Sequence, residues 1–219
     1  MKLKLSENAA HAIEHAGIVC ILRMDDAQAV LKLVGALFAG GIRCFEIPLT
    51  ASNAGEIIGL LKSSLPDDVI VGAGTVLSAE TAEEIIAAGA TFIVSPHFVP
   101  EVAEVCKARG VVLIPGAFSP QEIFHAWKAG ADIVKVFSIR PLGPEYLRDL
   151  AGPYPGIKLM PTGGIDSGNA ADFIRAGACA VTIGRDIIGK GPWDEAALAE
   201  ITRRAQNLVT SIQEAKGLA

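Results

Sequence analysis

From Gly17 onward the chain repeats one pattern eight times: a short run rich in β-branched residues, then a longer stretch of helical period. The runs fall at 18–23, 44–50, 69–76, 92–96, 111–116, 133–138, 158–164 and 180–184, with helix-period stretches between them such as 27–39, 54–65, 79–88 and 100–108. Strands that alternate with helices imply parallel βα units, because a parallel neighbour is reached only by a crossover. Eight such units close a barrel. A doubly wound sheet is the competing fold, but no G-x-G-x-x-G follows the first run. The expectation is therefore an α/β fold: a single-domain (β/α)8 TIM barrel spanning residues 1–219, with an N-terminal helix.

The punctuation agrees. Ala39-Gly40-Gly41, Ala88-Gly89-Ala90, Ala129-Gly130-Ala131 and Ala176-Gly177-Ala178 each put glycine where a helix would stop in the left-handed conformation. Ser119-Pro120-Gln121-Glu122 reads as a capping box with proline at the first helical position. Apolar residues make up 51% of the 219, which suits a buried parallel sheet wrapped by helices. Charged residues are only 20%, so part of the outer surface is expected to meet other subunits. A net charge of −5, with scattered lysines and arginines, argues against a nucleic-acid partner. Cys20, Cys44, Cys106 and Cys179 have no paired spacing and read as reduced thiols of a cytoplasmic protein. The stretch 1–14 has no apolar core of a signal peptide, and no run has the length of a membrane span.

A barrel carries its chemistry at the C-terminal ends of its strands, so polar residues there are the candidates. They are Arg23 on the first run, Glu46 and Thr50 on the second, and Thr75 on the third. The fourth ends in Ser95-Pro96-His97, the sixth carries Lys135, the seventh ends in Thr162-Gly163-Gly164 and the eighth in Gly184-Arg185-Asp186. Lys135 lies among apolar neighbours, where lost hydration disfavours the ammonium; a neutral amine can attack a ketone. Lys158 is flanked by apolar residues too, but it starts its run and belongs at the opposite, non-catalytic floor. Alternation sends Phe45, Ile47 and Leu49 toward the helices and Glu46 inward, on a run that faces the sixth across the barrel. Glu46 could pair with Lys135 structurally or shuttle protons, and the sequence leaves both open.

Barrels often bind phosphate through the turns after their last two strands, where this chain has Gly163, Gly164 and Gly184. Arg185 would attract an anion there and Asp186 would repel it. His11 and His15 have metal-like spacing but sit on the N-terminal helix, and no carboxylate–histidine cluster has the spacing of a catalytic metal site. Chemistry without a metal or other cofactor is expected.

In order along the chain, Phe45-Glu46-Ile47, Val71-Gly72-Ala73-Gly74-Thr75-Val76, Ile93-Val94-Ser95-Pro96-His97, Ile114-Pro115-Gly116, Val134-Lys135-Val136-Phe137 and Met160-Pro161-Thr162-Gly163-Gly164-Ile165 resemble the 2-keto-3-deoxy-6-phosphogluconate/4-hydroxy-2-oxoglutarate aldolases. These are class I aldolases built as small (β/α)8 barrels, and the likeness runs from about Gly17 to about Gly191. The resemblance implies that Lys135 is the Schiff-base lysine and Glu46 the proton shuttle. It implies Thr75 in the pyruvate pocket, Pro96 in the fourth-strand loop, Phe137 as the aromatic after the lysine and Arg23 as a substrate-holding arginine. Gly163 and Gly164 would be the phosphate-side glycines, beside Thr162. Thr50 stands where some members have arginine. A small 2-keto acid substrate, a cytoplasmic location and a homotrimer are implied as well.

Two stretches depart from the family pattern. Members usually read Lys-x-Phe-Pro and then a small residue, where this chain has Ser138 and Ile139; the usual Gly-Ser after the eighth strand is replaced at Arg185-Asp186. Both lie where the distal end of the substrate would sit. The expected reaction is cleavage of 2-keto-3-deoxy-6-phosphogluconate to pyruvate and glyceraldehyde 3-phosphate. The alternatives are the same chemistry on 4-hydroxy-2-oxoglutarate, the phosphogalactonate epimer or an unphosphorylated acid; an epimerase or synthase on a phosphate-binding barrel; and a non-catalytic binding or scaffold barrel.

Overall fold

The computed structural model describes residues 5–218; the first four residues of the N-terminal stretch and Ala219 lie outside it. The strands are β1 (Ile18–Ile21), β2 (Cys44–Pro48), β3 (Ile70–Gly74), β4 (Phe92–Val94), β5 (Val112–Ile114), β6 (Gly116–Ala117), β7 (Val134–Phe137), β8 (Leu159–Thr162) and β9 (Val181–Ile183). The helices are α1 (Leu5–Ala16), α2 (Ala27–Ala39), α3 (Ala54–Ser64), α4 (Ala79–Ala87), α5 (Pro100–Arg109), α6 (Pro120–Lys128), α7 (Glu145–Ala151), α8 (Ala170–Arg175), α9 (Arg185–Ile188) and α10 (Glu195–Ala215). Every expected strand forms, in a core shorter than its apolar run, and every pairing is parallel.

The strands lie in a curled six-stranded sheet, β5-β4-β3-β2-β1-β9, and a three-stranded one, β6-β7-β8. The fifth expected strand appears as two, β5 and β6, because Pro115 interrupts it and has no N–H to donate to a ladder. Hydrogen bonds cross both seams between the sheets. The Asp132 N–H, just before β7, donates to the Leu113 carbonyl of β5 at 3.1 Å, and the Cys179 N–H, just before β9, to the Leu159 carbonyl of β8 at 2.9 Å.

Alternation along the strands divides the core in two. Val30, Leu33, Phe45, Ile47, Val71 and Val134 belong to a large cluster between sheet and helices. Val19, Cys44, Phe92, Val112, Ile133 and Met160 form a second, interior cluster. Ala9, Ala10 and Ile13 of α1 join the interior set, so the N-terminal helix seals its lower end. The helix stops behave as their glycines predict: Gly41, Gly89, Gly130 and Gly177 have φ between 99° and 112°. Ser119 and Glu122 form the reciprocal capping box.

Candidate active site

Glu46 is central to the inner face. Its residue is 2% exposed, and in register it pairs with Ile21 on one side and Gly72 on the other. Two glycines of β3 leave room on this face, Gly74 for Glu46 and Gly72 for Phe92. A Cβ on Gly74 would stand 1.9 Å from Glu46 Oε1, and one on Gly72 would collide with the Phe92 ring at 2.4 Å. Burial raises the Glu46 pKa above the ordinary carboxylate value, while the charges of Lys135 and Arg23 pull it partly back. Its Oε2 is buried with no hydrogen-bond partner.

Lys135 is 8% exposed, and its Nζ lies 5.3 Å from the centre of the Phe137 ring. It shares electrostatic attraction with Glu46, but no direct ion pair joins the two among the described residues. Lys158, the lysine that resembles it in sequence, is at the sealed floor and pairs with Glu14 of α1 at 2.7 Å. Lys158 thus lies just before β8, two register positions below Lys135, and is engaged by the N-terminal helix.

Thr75 follows β3 with φ at +63°, among the described residues the sole non-glycine in the left-handed region. A β-branched residue there is strained by about 1–3 kcal/mol. The conformation is held on both sides: the Gly74 carbonyl accepts from the Leu49 N–H at 2.8 Å, and the Val76 N–H donates to the Val94 carbonyl at 3.1 Å. Arg23 and Thr50 are exposed on the loops after β1 and β2. Those loops are tied together, since Asp25 Oδ1 accepts from the Ser52 N–H and the Asp25 carbonyl from Asn53 Nδ2. The Pro96 carbonyl packs so closely on Gly116 that a Cβ there would sit 2.1 Å away.

A cavity of about 600 Å3 opens beside the lysine, walled by Pro96, His97, Gly116, Phe118 and Phe137 among others. Lys135 and Glu46 are not in its walls, so burial and electrostatics, rather than the size of a hollow, mark this site. On the other rim, Gly163 and Gly164 have φ of 93° and 79° and lie against Ser138 and Arg140 of the loop after β7. Arg185 and Asp186 begin α9. Asp186 does not simply oppose an incoming anion: its Oδ2 accepts from the N–H and the hydroxyl of Ser167. No hydrogen bond or ion pair joins Arg185 or Asp186 to Lys135 among the described residues.

Sequence reasoning overlooked Gly74, Ser167 and Thr182. Thr182 is 3% exposed and donates to Thr162 Oγ1 at 2.7 Å. Alternation with Ala180 already pointed Thr182 inward, and the spacing of Gly72 and Gly74 beside Glu46 was visible too. Among the described residues there is no group of three or more His, Cys, Asp or Glu arranged to hold a metal ion, and no helix long and apolar enough to cross a membrane.

A parallel α/β fold with this set of strand-end residues defines an enzyme of the aldolase class, a carbon–carbon lyase. The chain belongs to the KDPG and KHG aldolase family, whose sequence model matches residues 10–204. The 2-dehydro-3-deoxy-phosphogluconate aldolase of Treponema pallidum is 38% identical over 164 residues, covering 74% of this chain and 78% of that protein. The 2-dehydro-3-deoxy-6-phosphogalactonate aldolase of Escherichia coli is 31% identical, over 80% of this chain and 85% of its own. Among solved structures, the KDPG aldolase of Legionella pneumophila, with pyruvate captured as a covalent carbinolamine, superimposes with a TM-score of 0.82 at 28% identity. That match covers 90% of this chain and 96% of the other.

Proposed function

We propose that the chain is one domain, a closed (β/α)8 barrel in which Lys135 forms an imine with a 2-keto acid and Glu46 moves the protons. The hydrogen bonds across both seams and the shared interior cluster support closure. Around such a barrel β2 and β7 stand opposite each other, so Glu46 and Lys135 face across a small substrate. The carrying observation is the buried, unpaired carboxylate of Glu46 within electrostatic reach of Lys135. A structural ion pair would have closed that gap; a shuttle leaves room for substrate.

In this reading the neutral amine of Lys135 attacks C2 of the keto acid. The former ketone oxygen takes up two protons, one passed on from the attacking nitrogen and one from Glu46, and leaves as water, while the nitrogen lone pair completes an iminium. Glu46 removes the proton of the C4 hydroxyl as the C3–C4 bond breaks. The bonding pair flows toward the iminium, giving an enamine, and the aldehyde departs. Glu46 returns a proton to C3, and water adding at C2 frees pyruvate and the amine. The imine is the electron sink, and the reading uses no cofactor beyond it. Thr75, with Arg23 and Thr50 on the neighbouring loops, would hold the pyruvate carboxylate; Pro96 and Phe137 would wall the reacting end. Thr162, at the end of β8 and level with Phe137, would line the reacting end, and Gly163, Gly164 and Arg185 would face the distal end.

The preferred substrate is 2-keto-3-deoxy-6-phosphogluconate, cleaved to pyruvate and glyceraldehyde 3-phosphate, as the names of several relatives suggest. A second reading, with the phosphogalactonate epimer, 4-hydroxy-2-oxoglutarate or an unphosphorylated acid, is favoured by Arg185 and Asp186 where the family carries Gly-Ser. A panel of these acids assayed by pyruvate release tests both. The phosphogluconate acid is expected to turn over fastest, and Lys135→Ala to release none; a faster unphosphorylated acid selects the second reading, and no turnover at all defeats both.

The protein would work in the cytoplasm, where its four free cysteines stay reduced. It would assemble as a homotrimer through the aromatic face around α6. Phe118, Phe124 and Trp127 are 40–44% exposed there, and Phe124 packs against Trp127 and Tyr154 at centroid distances of 5.9 and 5.7 Å. An apolar patch of this kind is the mark of a covered surface.

A further inference from the structure

Thr162 ends β8 and Thr182 lies in β9, strands that terminate different sheets and meet at a seam. Both side chains are buried, at 6% and 3% exposure. Thr182 Oγ1 lies 2.7 Å from Thr162 Oγ1 and 3.3 Å from the Pro161 carbonyl, so its single proton is best given to Thr162. Thr162 then has one lone pair engaged and a proton of its own with no protein acceptor among the described residues.

Register says where that proton can go. Lys135 pairs with Met160, and Phe137, one pleat further on, pairs with Thr162. Lys135 Nζ lies 5.3 Å from the centre of the Phe137 ring, so the amine reaches up from its own register position toward the one that Phe137 shares with Thr162. A hydroxyl that accepts a hydrogen bond becomes a stronger donor, and in a dry interior the gain is larger than in water.

We propose that Thr182 is a positioning residue for the reaction: it fixes the Thr162 hydroxyl as a donor to the C2 oxygen of a keto acid at Lys135. The proposal rests on the reading that Lys135 carries the substrate. As the amine attacks, that oxygen gains negative charge before it is protonated and lost as water, and a donor already aimed at it stabilises the addition. Without Thr182, the Thr162 hydroxyl is free to rotate and its donor direction is no longer set.

The test is Thr182→Val, close in shape but without the donor, read by deuterium exchange at the methyl group of pyruvate. This exchange proceeds through the imine and enamine, and needs no aldehyde. Exchange is expected to slow about tenfold, the worth of one hydrogen bond, with the KM for pyruvate changing less than about twofold. Thr182→Ser should restore the rate. Thr162→Val should slow exchange as well, and the double Val variant should be no slower than Thr162→Val alone. Thr182→Ala carries the same expectation as Val should the Val protein not fold.

Exchange at the wild-type rate in Thr182→Val overturns the proposal, and so does a Thr182→Ser protein as slow as Val, which would mean that Thr182 only packs the seam. If the wild-type protein itself exchanges no deuterium, the imine reading of Lys135 fails, and this inference with it.

Discussion

At the scale of single residues, burial without a partner is what would suit Glu46 to the proton transfers proposed for it. A carboxylate in water titrates near pH 4.3, too acidic to return a proton readily at neutral pH. Desolvation raises Glu46 above that range despite the pull of Lys135 and Arg23. The consequence for stability has a definite sign. The folded-state pKa exceeds the unfolded one, so folding favours the protonated form, and stability is lost as pH rises from the ordinary carboxylate range through the folded value. Relative to the wild type, Glu46→Gln should therefore become progressively more stable over that interval in thermal melts. The acid limb of the wild-type pH–rate profile should lie above the usual carboxylate range. A stability difference that does not change with pH would mean that Glu46 is not held in this way. Lys158 makes the contrasting case. Its partner Glu14 and its own side chain are about one-third exposed, so the pair contributes about 0.2–1 kcal/mol and does no chemistry.

At the scale of elements, strand register places each functional group. β2 and β3 pair over five residues, which sets Glu46 opposite Gly72 and Pro48 opposite Gly74. Gly74→Ala inserts a methyl group into the space of the Glu46 carboxylate, 1.9 Å from Oε1. This substitution should cut kcat by about a hundredfold, as expected for a displaced general base, while circular dichroism remains that of the wild type. Unchanged kcat would show that the carboxylate need not stay where the glycine lets it lie.

These placements also show how far the sequence could be read. Period-two alternation announced that Glu46 and Lys135 point inward, and the position of each lysine within its run separated Lys135 from Lys158. Helix stops at Gly41, Gly89, Gly130 and Gly177 were equally legible, because a left-handed stop needs what glycine supplies. The break at Pro115 was not read from the run 111–116, although the missing N–H makes it intelligible afterwards. The Thr162–Thr182 bond and the engagement of Asp186 by Ser167 join residues about 20 apart through a loop, and no local pattern announces such a contact.

At the scale of the whole molecule, the two ends of the strands have different work. The lower end is closed by α1, whose Ala9, Ala10 and Ile13 enter the interior cluster, and Lys216 ties the chain's last helix to the Cys179 carbonyl at 3.1 Å. In the proposed reading the upper end is left for the substrate. The apolar residues that remain outside are concentrated around α6 and run on through Phe118 to Phe137, which contacts the lysine. Assembly through that face would shield the aromatic side of the mouth. Light scattering should give three times the 22.8 kDa of one chain, and Trp127→Glu should lower the mass; a wild-type mass of one chain would contradict the assembly.

All of this turns on Lys135 as the residue that holds the substrate. The direct measurement is reduction of the protein with borohydride in the presence of pyruvate, followed by peptide mass spectrometry. The account predicts one pyruvyl-derived addition, located on Lys135, absent from Lys158 and lost in Lys135→Ala. A wild-type protein with Lys135 unmodified, or with the addition elsewhere, would contradict it.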